Sequence, residues 1–417
     1  QAMSDYKEFL DLKCHSGSKD GFAPTFIPDA MFPFQKAITE WAINKGRAAI
    51  FADCGLGKTL MQLAWAQNVV EHTNKAVLIL TPLAVGAQTV REAERFGMVA
   101  HQSRDGSTTS KITVTNYEQL HKFNPEDFSG VVCDESSILK AFMGKTKRSI
   151  IARFEGTRYK LACTATPAPN DHMELGNHCE FVGVMKSNEM LASYFINDPA
   201  HVGRYRIKGH AESPFWKWLA SWAVMLRKPS DLGYSDDGFD LPPLNRQWHV
   251  VNAHKPADGL LFELPAASLS ERISARRNST QERVEKATGL ANSNDEQWLV
   301  FCGLNSESEQ LSRGIAGAVE VKGSDSIEHK TKSMLDFAHG NVRVLVSKPS
   351  ICGFGMNFQS CRNMAFVGLS DSWEEFYQAV RRCWRFGQKR TVNCHVITAQ
   401  TEGAVVDNIL QIGRAHV

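Results

Sequence analysis

No apolar run in this chain approaches the roughly 18 residues that a membrane-spanning helix needs. The ten cysteines include no C-x-x-C pair, and several lie inside apolar strand-like runs, where a free thiol behaves as a small hydrophobe. The first residues mix acidic, basic and polar side chains, which does not match a signal peptide. These absences argue against a membrane span and favour a reduced protein inside the cell over a disulfide or zinc framework.

A large excess of positive charge is also missing, because 47 basic residues face 45 acidic ones and the net charge is only +2. Any nucleic-acid site must therefore be a local basic surface. No repeat, low-complexity segment or nuclease-type P-D…E-x-K constellation stands out. With 417 residues and 43% hydrophobic content, the chain is long enough for about two to three globular domains.

What the chain does contain is a glycine-rich segment, A-D-C-G-L-G-K-T at 52–59, between an apolar run at 48–51 and a helix-compatible run at 60–66. Strand, glycine-rich turn and helix form the context in which backbone N–H groups surround a polyphosphate. Lys58 is expected to reach the terminal phosphates of ATP, and Thr59 to place its hydroxyl on Mg²⁺. Such a segment is called a P-loop. Its predicted nucleotide-binding residues are Cys54, Gly55, Leu56, Gly57, Lys58, Thr59 and Leu60.

Two adjacent carboxylates, Asp134 and Glu135, follow the apolar run 131–133. Downstream of a P-loop, the first carboxylate at such a strand end can hold Mg²⁺, and the second can orient or deprotonate the attacking water. A solvated acidic pair has the same pattern, so this interpretation depends on the P-loop upstream. The hydroxyl-rich segment 164–167 follows another strand candidate and either connects the carboxylates to a nucleic-acid surface or forms a plain turn.

Two further groups complete the candidate site. The amide of Gln35 can pair with an adenine edge and Phe32 can stack on the base, although ordinary packing also explains Phe32. Arg382 and Arg385 are three residues apart, which predicts one shared helical face that can grip a γ-phosphate; a solvated basic helix is the alternative. Gly355 belongs to a two-glycine segment that either permits close approach to a ligand or is a tight turn.

Short apolar runs predict two α/β domains in tandem. The runs are continuous rather than alternating, as expected for parallel strands buried on both faces. The first set lies at 48–51, 76–80, 112–115, 131–133 and 160–163, and the second at 298–301, 319–321, 342–346, 364–367 and 392–397. Residues 180–227 are aromatic and lack a strand rhythm, 228–243 is the predicted linker, and the mixed charges of 266–290 predict an exposed helix.

The predicted organisation is a tail at 1–24, a first lobe at 25–227 with a helical extension from about 180, the linker at 228–243 and a second lobe at 244–411. The last six residues, 412–417, are what a common sequencing adapter encodes in frame, so we expect the native protein to end differently after about Gln411. Residues 1–2 resemble a cleavage remnant ahead of a native Met3.

In their order, these motifs resemble those of a superfamily-two nucleic-acid motor, most closely its Swi/Snf-type ATPase branch. The matching segments are 34–35 (glutamine motif), 53–59 (first), 134–137 with Lys140 (acidic box), 164–167 with Asn170 (third), 353–357 (fifth) and 378–388 (sixth). Arg382 and Arg385 stand in the positions of the arginine fingers. One departure is Ser136-Ser137 where the family has Ala-His or Ala-Asp.

The resemblance implies two tandem RecA-like domains, each a mostly parallel sheet flanked by helices, with ATP and Mg²⁺ in the cleft between them. The P-loop and carboxylates then act from the first domain and the arginines from the second, and hydrolysis drives movement along DNA, duplex more than single-stranded. The resemblance also implies nucleic-acid contacts, for which ordinary loop residues are the alternative, at Thr81, Pro82, Thr115, Asn116, Tyr117, Lys322, Ser347 and Lys348. A bare motor of this size is expected in the cytoplasm of a bacterium or a phage-infected host.

Other functions fit the same motifs. A DEAD-box-type RNA helicase also has an acidic box that begins Asp-Glu, so RNA is an alternative partner, and stimulation by duplex DNA, single-stranded DNA and RNA separates the two. A clamp that uses ATP only to hold nucleic acid lacks steady turnover. The motor subunit of a restriction enzyme needs a nuclease from another chain, and the sequence does not identify protein partners.

Overall fold

The structure is a computed structural model that describes residues 20–83, 85–137, 139, 150–168, 172–197, 205–252, 276–352, 356–370 and 372–400. The chain divides into two compact units, Gln1–Asp236 and Asp237–Val417, and the division falls inside the segment 228–243. Each unit contains one large sheet whose described strand pairs are all parallel. The predicted tandem α/β fold is thereby confirmed.

The first unit is built on seven parallel strands. They are β1 Arg47–Ala52, β2 Ala76–Thr81, β3 Ala100–Gln102, β4 Ile112–Asn116, β5 Phe128–Asp134, β6 Tyr159–Thr164 and β9 Ala223–Leu226, and a separate antiparallel hairpin is formed by β7 Phe195–Asn197 and β8 Tyr205–Ile207. The sheet order is β3-β4-β2-β5-β6-β1-β9, so the five predicted strands form its contiguous centre. Both faces of these central strands are buried, which is why their sequences are apolar without alternation.

Helices cover the sheet of the first unit. They are α1 Pro33–Lys45, α2 Lys58–Thr73, α3 Gly86–Arg95, α4 Leu175–Val182, α5 Ser187–Tyr194 and α6 Glu212–Ala220. A proline at the first position starts α1, and Asn74 in the left-handed region ends α2. The central part of α2 is buried, so the helix that follows the glycine-rich loop is fixed in the core.

The aromatic region 180–227 completes the core of the first unit. Phe215 and Trp222 are fully buried, and their rings pack with those of Tyr194 and Trp218. The sequence predicts no strand rhythm here, but the region contains the hairpin strands β7 and β8 and also β9, which pairs with β1 in the register Phe51↔Met225. This edge strand has only four residues and is partly exposed, so it leaves no long apolar run in the sequence.

The second unit has six parallel strands and five described helices. The strands are β10 Leu244–Val251, β11 Trp298–Cys302, β12 Ala318–Val321, β13 Val344–Ser347, β14 Asn363–Val367 and β15 Val392–Ala399. The helices are α7 Thr280–Ala291, α8 Asn305–Gly314, α9 Ile327–Ala338, α10 Pro349–Cys352 and α11 Trp373–Val380. The order β10-β15-β14-β11-β13-β12 contains all five predicted strands and adds β10 at one edge.

A buried ion pair corrects one prediction in the second unit. Arg283 on α7 lies in the stretch that predicts an exposed helix, yet its side chain and that of Glu307 are fully buried, with 2.6 Å between Arg283 Nη1 and Glu307 Oε1. Glu307 Oε2 also accepts hydrogen bonds from the backbone N–H groups of Gly303 at 2.9 Å and Leu304 at 3.0 Å. A buried charge is tolerated only when it is paired in this way.

Within the described ranges, no helix is long and apolar enough to cross a membrane. The nine described cysteines are free and buried, and Cys14 lies outside these ranges. No group of three or more His, Cys, Asp or Glu side chains suited to a metal ion occurs among the residues searched.

Candidate nucleotide-binding site

The glycine-rich loop joins the end of β1 to the start of α2. Gly55 and Gly57 have φ angles of +88° and +81°, in the left-handed region that favours glycine. A Cβ atom on Gly57 would overlap Nε2 of Gln35. Cys54, Leu56 and Leu60 are buried, so the backbone of the loop is the part left to face a ligand.

Gln35 connects α1 to this loop. Its Oε1 accepts a hydrogen bond from the N–H of Phe32 at 3.0 Å, and its Nε2 donates to the carbonyl of Leu56 at 2.9 Å. The carboxamide has a second N–H and a second acceptor lone pair, which is the capacity that an adenine edge needs. Phe32 lies at the start of α1 with 41% of its surface exposed, so its ring is accessible for stacking. The adenine-binding role of both residues stays a prediction.

Lys58 begins α2 and turns back over the loop. Its Nζ donates to the carbonyls of Ala52 at 2.7 Å and Asp53 at 3.3 Å. The Asp53 side chain in turn accepts from the N–H of Cys54 at 2.6 Å. An ammonium group carries three donors, so Lys58 keeps capacity for a phosphate oxygen without leaving the loop. Thr59, the next residue, is partly exposed.

Asp134 is the last residue of β5 and is largely buried. Its Oδ1 accepts a hydrogen bond of 2.7 Å from Nε2 of Gln62, one helical turn after Lys58 on α2. Burial and the neighbouring charge of Glu135 raise the pKa of Asp134 to about 6, while Gln62 and Lys58 act in the opposite direction. The backbone carbonyl of Asp134 is held by the phenol of Tyr117 at 2.7 Å. Gln62 thus holds the carboxylate of Asp134, and Tyr117 holds its backbone.

Glu135 has an unusual backbone conformation, with φ of +53°. Its Oε1 accepts hydrogen bonds from Oγ1 of Thr164 at 2.6 Å and from Oγ of Ser137 at 3.1 Å. Thr164 Oγ1 in turn accepts from the N–H of Thr166 at 3.1 Å. The segment 164–166 is therefore coupled to the second carboxylate. Ser137, which departs from the family pattern, supplies a second hydroxyl to the same oxygen.

The arginine segment differs from its prediction, because α11 ends at Val380 and residues 381–387 form turns. The prediction of one helical face for Arg382 and Arg385 is wrong. Both guanidinium groups still converge, since Nη1 of Arg382 and Nη1 of Arg385 lie 3.3 Å and 3.5 Å from the carbonyl of Met356. Beyond the end of the helix, the carbonyl of Arg382 accepts a hydrogen bond of 2.9 Å from the N–H of Phe358.

Most side chains predicted to contact nucleic acid from the first unit point inward. Thr81, Thr115, Asn116 and Tyr117 are buried, and Asn116 Oδ1 accepts from the N–H of Gln119 at 3.1 Å. Thr81 Oγ1 lies 3.4 Å from the carbonyl of Thr115. Pro82, just beyond β2, is partly exposed. A phosphate contact here would use backbone groups, and these contacts stay predictions.

The corresponding residues of the second unit differ in exposure. Ser347 is buried and donates to the carbonyl of Val321 at 2.8 Å. Lys322 is partly exposed and pairs with Glu320 at 3.2 Å and Glu309 at 3.5 Å, and its pKa is raised mainly by Glu320. Lys348 is partly exposed and, with Arg276, lines a pocket of about 180 Å³ at the carboxyl ends of the central strands. Their nucleic-acid roles stay predictions.

Some predicted residues lie outside the described ranges. They are Lys140, Asn170, Gly355, most of the tail 1–24 and the end 412–417.

Three residues that support the carboxylates were not predicted to do so: Gln62, Ser137 and, in this role, Tyr117. Only Gln62 leaves a usable signal, because it is a polar residue one turn after Lys58 in an otherwise apolar run.

Two family profiles match the chain, one in each unit. The profile described as type III restriction enzyme, res subunit, matches residues 31–169, and the profile described as helicase conserved C-terminal domain matches residues 280–387. Protein p41 of Acyrthosiphon pisum secondary endosymbiont phage 1 is 23% identical over 439 residues, which cover 90% of this chain and 94% of that protein. The mouse DNA annealing helicase and endonuclease ZRANB3 is 23% identical over 436 residues, which cover 93% of this chain but only 40% of ZRANB3.

A solved fragment of an HsdR subunit of a type I restriction enzyme from Vibrio vulnificus shares the fold, with a TM-score of 0.56 and 16% identity over 90% of this chain and 64% of that chain. The two profiles occur in this order on two α/β units, each built on a sheet of parallel strands. Together they define a helicase-type ATPase. These matches support a helicase or translocase of superfamily two, which is a nucleic-acid-dependent ATP hydrolase. The predicted family and enzyme class are confirmed.

Proposed function

We propose that the chain is a DNA translocase or helicase that moves along duplex DNA as it hydrolyses ATP. The observation that carries this proposal is the placement of Lys58, Asp134 and Glu135 around one P-loop, with each side chain held by named partners. DNA is favoured because the mouse relative is a DNA annealing helicase. The phage origin of p41 supports a bacterial or infected-host cytoplasm as the site of action.

In this proposal, Lys58 neutralises the terminal phosphates while the loop N–H groups hold them. Glu135 orients and deprotonates the attacking water, and Thr164 and Ser137 keep its Oε1 in place. Gln35 and Phe32 hold the adenine. Arg382 and Arg385 stabilise the charge that develops on the γ-phosphate.

The side chains beside the P-loop of the first unit also suit the binding of Mg²⁺. Asp134 and the hydroxyl of Thr59 are hard oxygen donors, which this cation prefers. The raised pKa of Asp134 reflects a buried carboxylate beside a like charge, the environment that a divalent cation stabilises. When bound, Mg²⁺ would neutralise charge on the phosphate oxygens.

The proposal is tested by steady-state ATP hydrolysis with no nucleic acid, duplex DNA, single-stranded DNA and RNA. We expect the largest stimulation with duplex DNA, and loss of turnover in Lys58→Ala and Glu135→Gln. Trp216→Ala is the matched control, since Trp216 is a half-exposed residue on α6 outside the proposed site. Equal rates with and without every nucleic acid contradict the proposal, and stimulation by RNA alone favours the RNA-helicase alternative.

A further inference from the structure

Arg385 lies between two residues that are anchored to the same short segment. On one side, Nε1 of Trp384 donates a hydrogen bond of 2.7 Å to the carbonyl of Pro242. On the other side, the ring of Phe386 stacks on Phe239, with centroids 4.8 Å apart and planes 27° from parallel. The backbone on both sides of Arg385 is thus attached to residues 239–242.

This segment is fixed at one end and continuous with the linker at the other. The carbonyl of Pro243 accepts a hydrogen bond of 3.0 Å from the N–H of Val392, and β10 begins at Leu244 beside β15. In the other direction, the boundary between the two units falls at Asp236–Asp237, two residues before Phe239. Phe239, whose ring stacks on Phe386, therefore comes almost directly after the boundary between the units.

The Phe239–Phe386 contact contributes little to the core. Phe386 is 36% exposed and Phe239 is partly exposed, and neither belongs to the buried hydrophobic cluster of the second unit. The face of Trp384 is covered by the guanidinium of Arg381, whose Cζ lies 5.2 Å from the ring centroid. A half-exposed stacked pair beside a functional arginine is better suited to orienting that arginine than to holding the fold together.

We propose that Phe239 and Trp384 are positioning residues for Arg385, and that they connect its orientation to the course of the linker. The inference rests on the proposed role of Arg385 at the γ-phosphate. A change in the conformation of the linker would shift Phe239 and Pro242. Because these two residues contact Phe386 and Trp384, the shift would also change the orientation of Arg385. Hydrolysis would then depend on the linker conformation without any change in nucleotide binding by the first unit.

The test uses the full chain with duplex DNA and compares kcat with KM for ATP. We expect Phe239→Ala to lower kcat about fivefold, within the range of an aromatic pair, and to change KM less than about twofold. Phe239→Tyr keeps an aromatic ring at this position, so its kcat should be close to that of the wild type. Trp384→Phe removes the donor to Pro242 but keeps a ring, and should lower kcat by about threefold. Trp216→Ala, of similar exposure to Phe386, should match the wild type.

A double variant separates positioning from a general structural effect. In an Arg385→Lys background, which loses the planar guanidinium, Phe239→Ala should cause no further loss of kcat. A further fivefold loss in that background, or failure of Phe239→Tyr to restore kcat, overturns the inference. A normal kcat in Phe239→Ala overturns it as well. If Arg385→Lys and Arg385→Ala themselves hydrolyse ATP normally, the proposed role of Arg385 is what fails.

Discussion

Thr164 Oγ1 donates a hydrogen bond of 2.6 Å to Glu135 Oε1, and the same hydroxyl accepts from the N–H of Thr166 at 3.1 Å. Thr164 is the last residue of β6 and Glu135 follows β5, and these neighbouring parallel strands pair Asp134 with Cys163. A single hydroxyl therefore connects the proposed water-orienting carboxylate to the chain that leaves the next strand.

Replacing Thr164 by Val keeps the shape of the side chain and removes the donor to Glu135. We expect kcat for DNA-stimulated ATP hydrolysis to fall about 10- to 100-fold, because a hydrogen bond to a charged group contributes about 1.5–3 kcal/mol. Thr164→Ser keeps the hydroxyl and is the control, with activity close to the wild type. A Thr164→Val enzyme within twofold of the wild type would show that the hydrogen bond does not orient Glu135.

Gln62 supports Asp134 from α2, and its replacement should show in the magnesium dependence. Gln62→Leu removes the donor at 2.7 Å from Asp134 Oδ1, so we expect the Mg²⁺ concentration for half-maximal hydrolysis to rise about 10-fold. Gln67→Leu is the control on the same helix, because the side chain of Gln67 donates a hydrogen bond of 2.8 Å to exposed Glu71 and, within the described residues, none to the carboxylates of the site. The same shift in both variants would point to the helix rather than to Asp134.

Gly57 should tolerate no side chain, for two separable reasons. Its φ of +81° strains any other residue by about 1 kcal/mol, and a Cβ atom would overlap Gln35 Nε2. We expect Gly57→Ala to abolish ATP binding in an equilibrium titration with a fluorescent nucleotide. Gly97→Ala, at φ of +74° with nothing within 4 Å of the added Cβ, carries the backbone strain alone and should bind normally. Normal nucleotide binding by Gly57→Ala would contradict the placement of Gln35 against the loop.

The sequence predicted the positions of the strands far better than the side-chain and backbone contacts between distant segments. Buried parallel strands such as β5 leave continuous apolar runs, so ten of the strands, including every central one, could be located from the sequence. The turns after α11 could not, because Arg382 there is bonded to Phe358, which is distant in sequence. The burial of Arg283 was missed for the same reason, since its charged partner Glu307 lies on another helix. Propensity and spacing carry no information about such contacts.

We expect His395 to make the stability of the second unit depend on pH. Burial, and then the neighbouring His249 and Lys286, lower the pKa of His395 to about 4. Below the unfolded value of about 6.5, the unfolded chain takes up a proton that the folded chain does not, so the free energy of unfolding falls as pH falls from about 6.5 towards 4. At pH 5 this loss should be about 2 kcal/mol for one group.

Unfolding by urea at pH 7.5 and pH 5 measures this effect. His395→Gln should reduce the difference in free energy of unfolding between the two pH values, whereas exposed His339→Gln should leave it unchanged. An identical pH dependence in His395→Gln and the wild type would rule out His395 as the source.

Displacement of a third strand from a DNA triplex tests the central claim most directly, because a motor that tracks duplex DNA must remove the strand in its path. With ATP and Mg²⁺, we expect the wild type and Trp216→Ala to displace the third strand, and Lys58→Ala and Glu135→Gln to leave it bound. Wild-type protein that hydrolyses ATP in the presence of duplex DNA but never displaces the strand would contradict the assignment as a translocase.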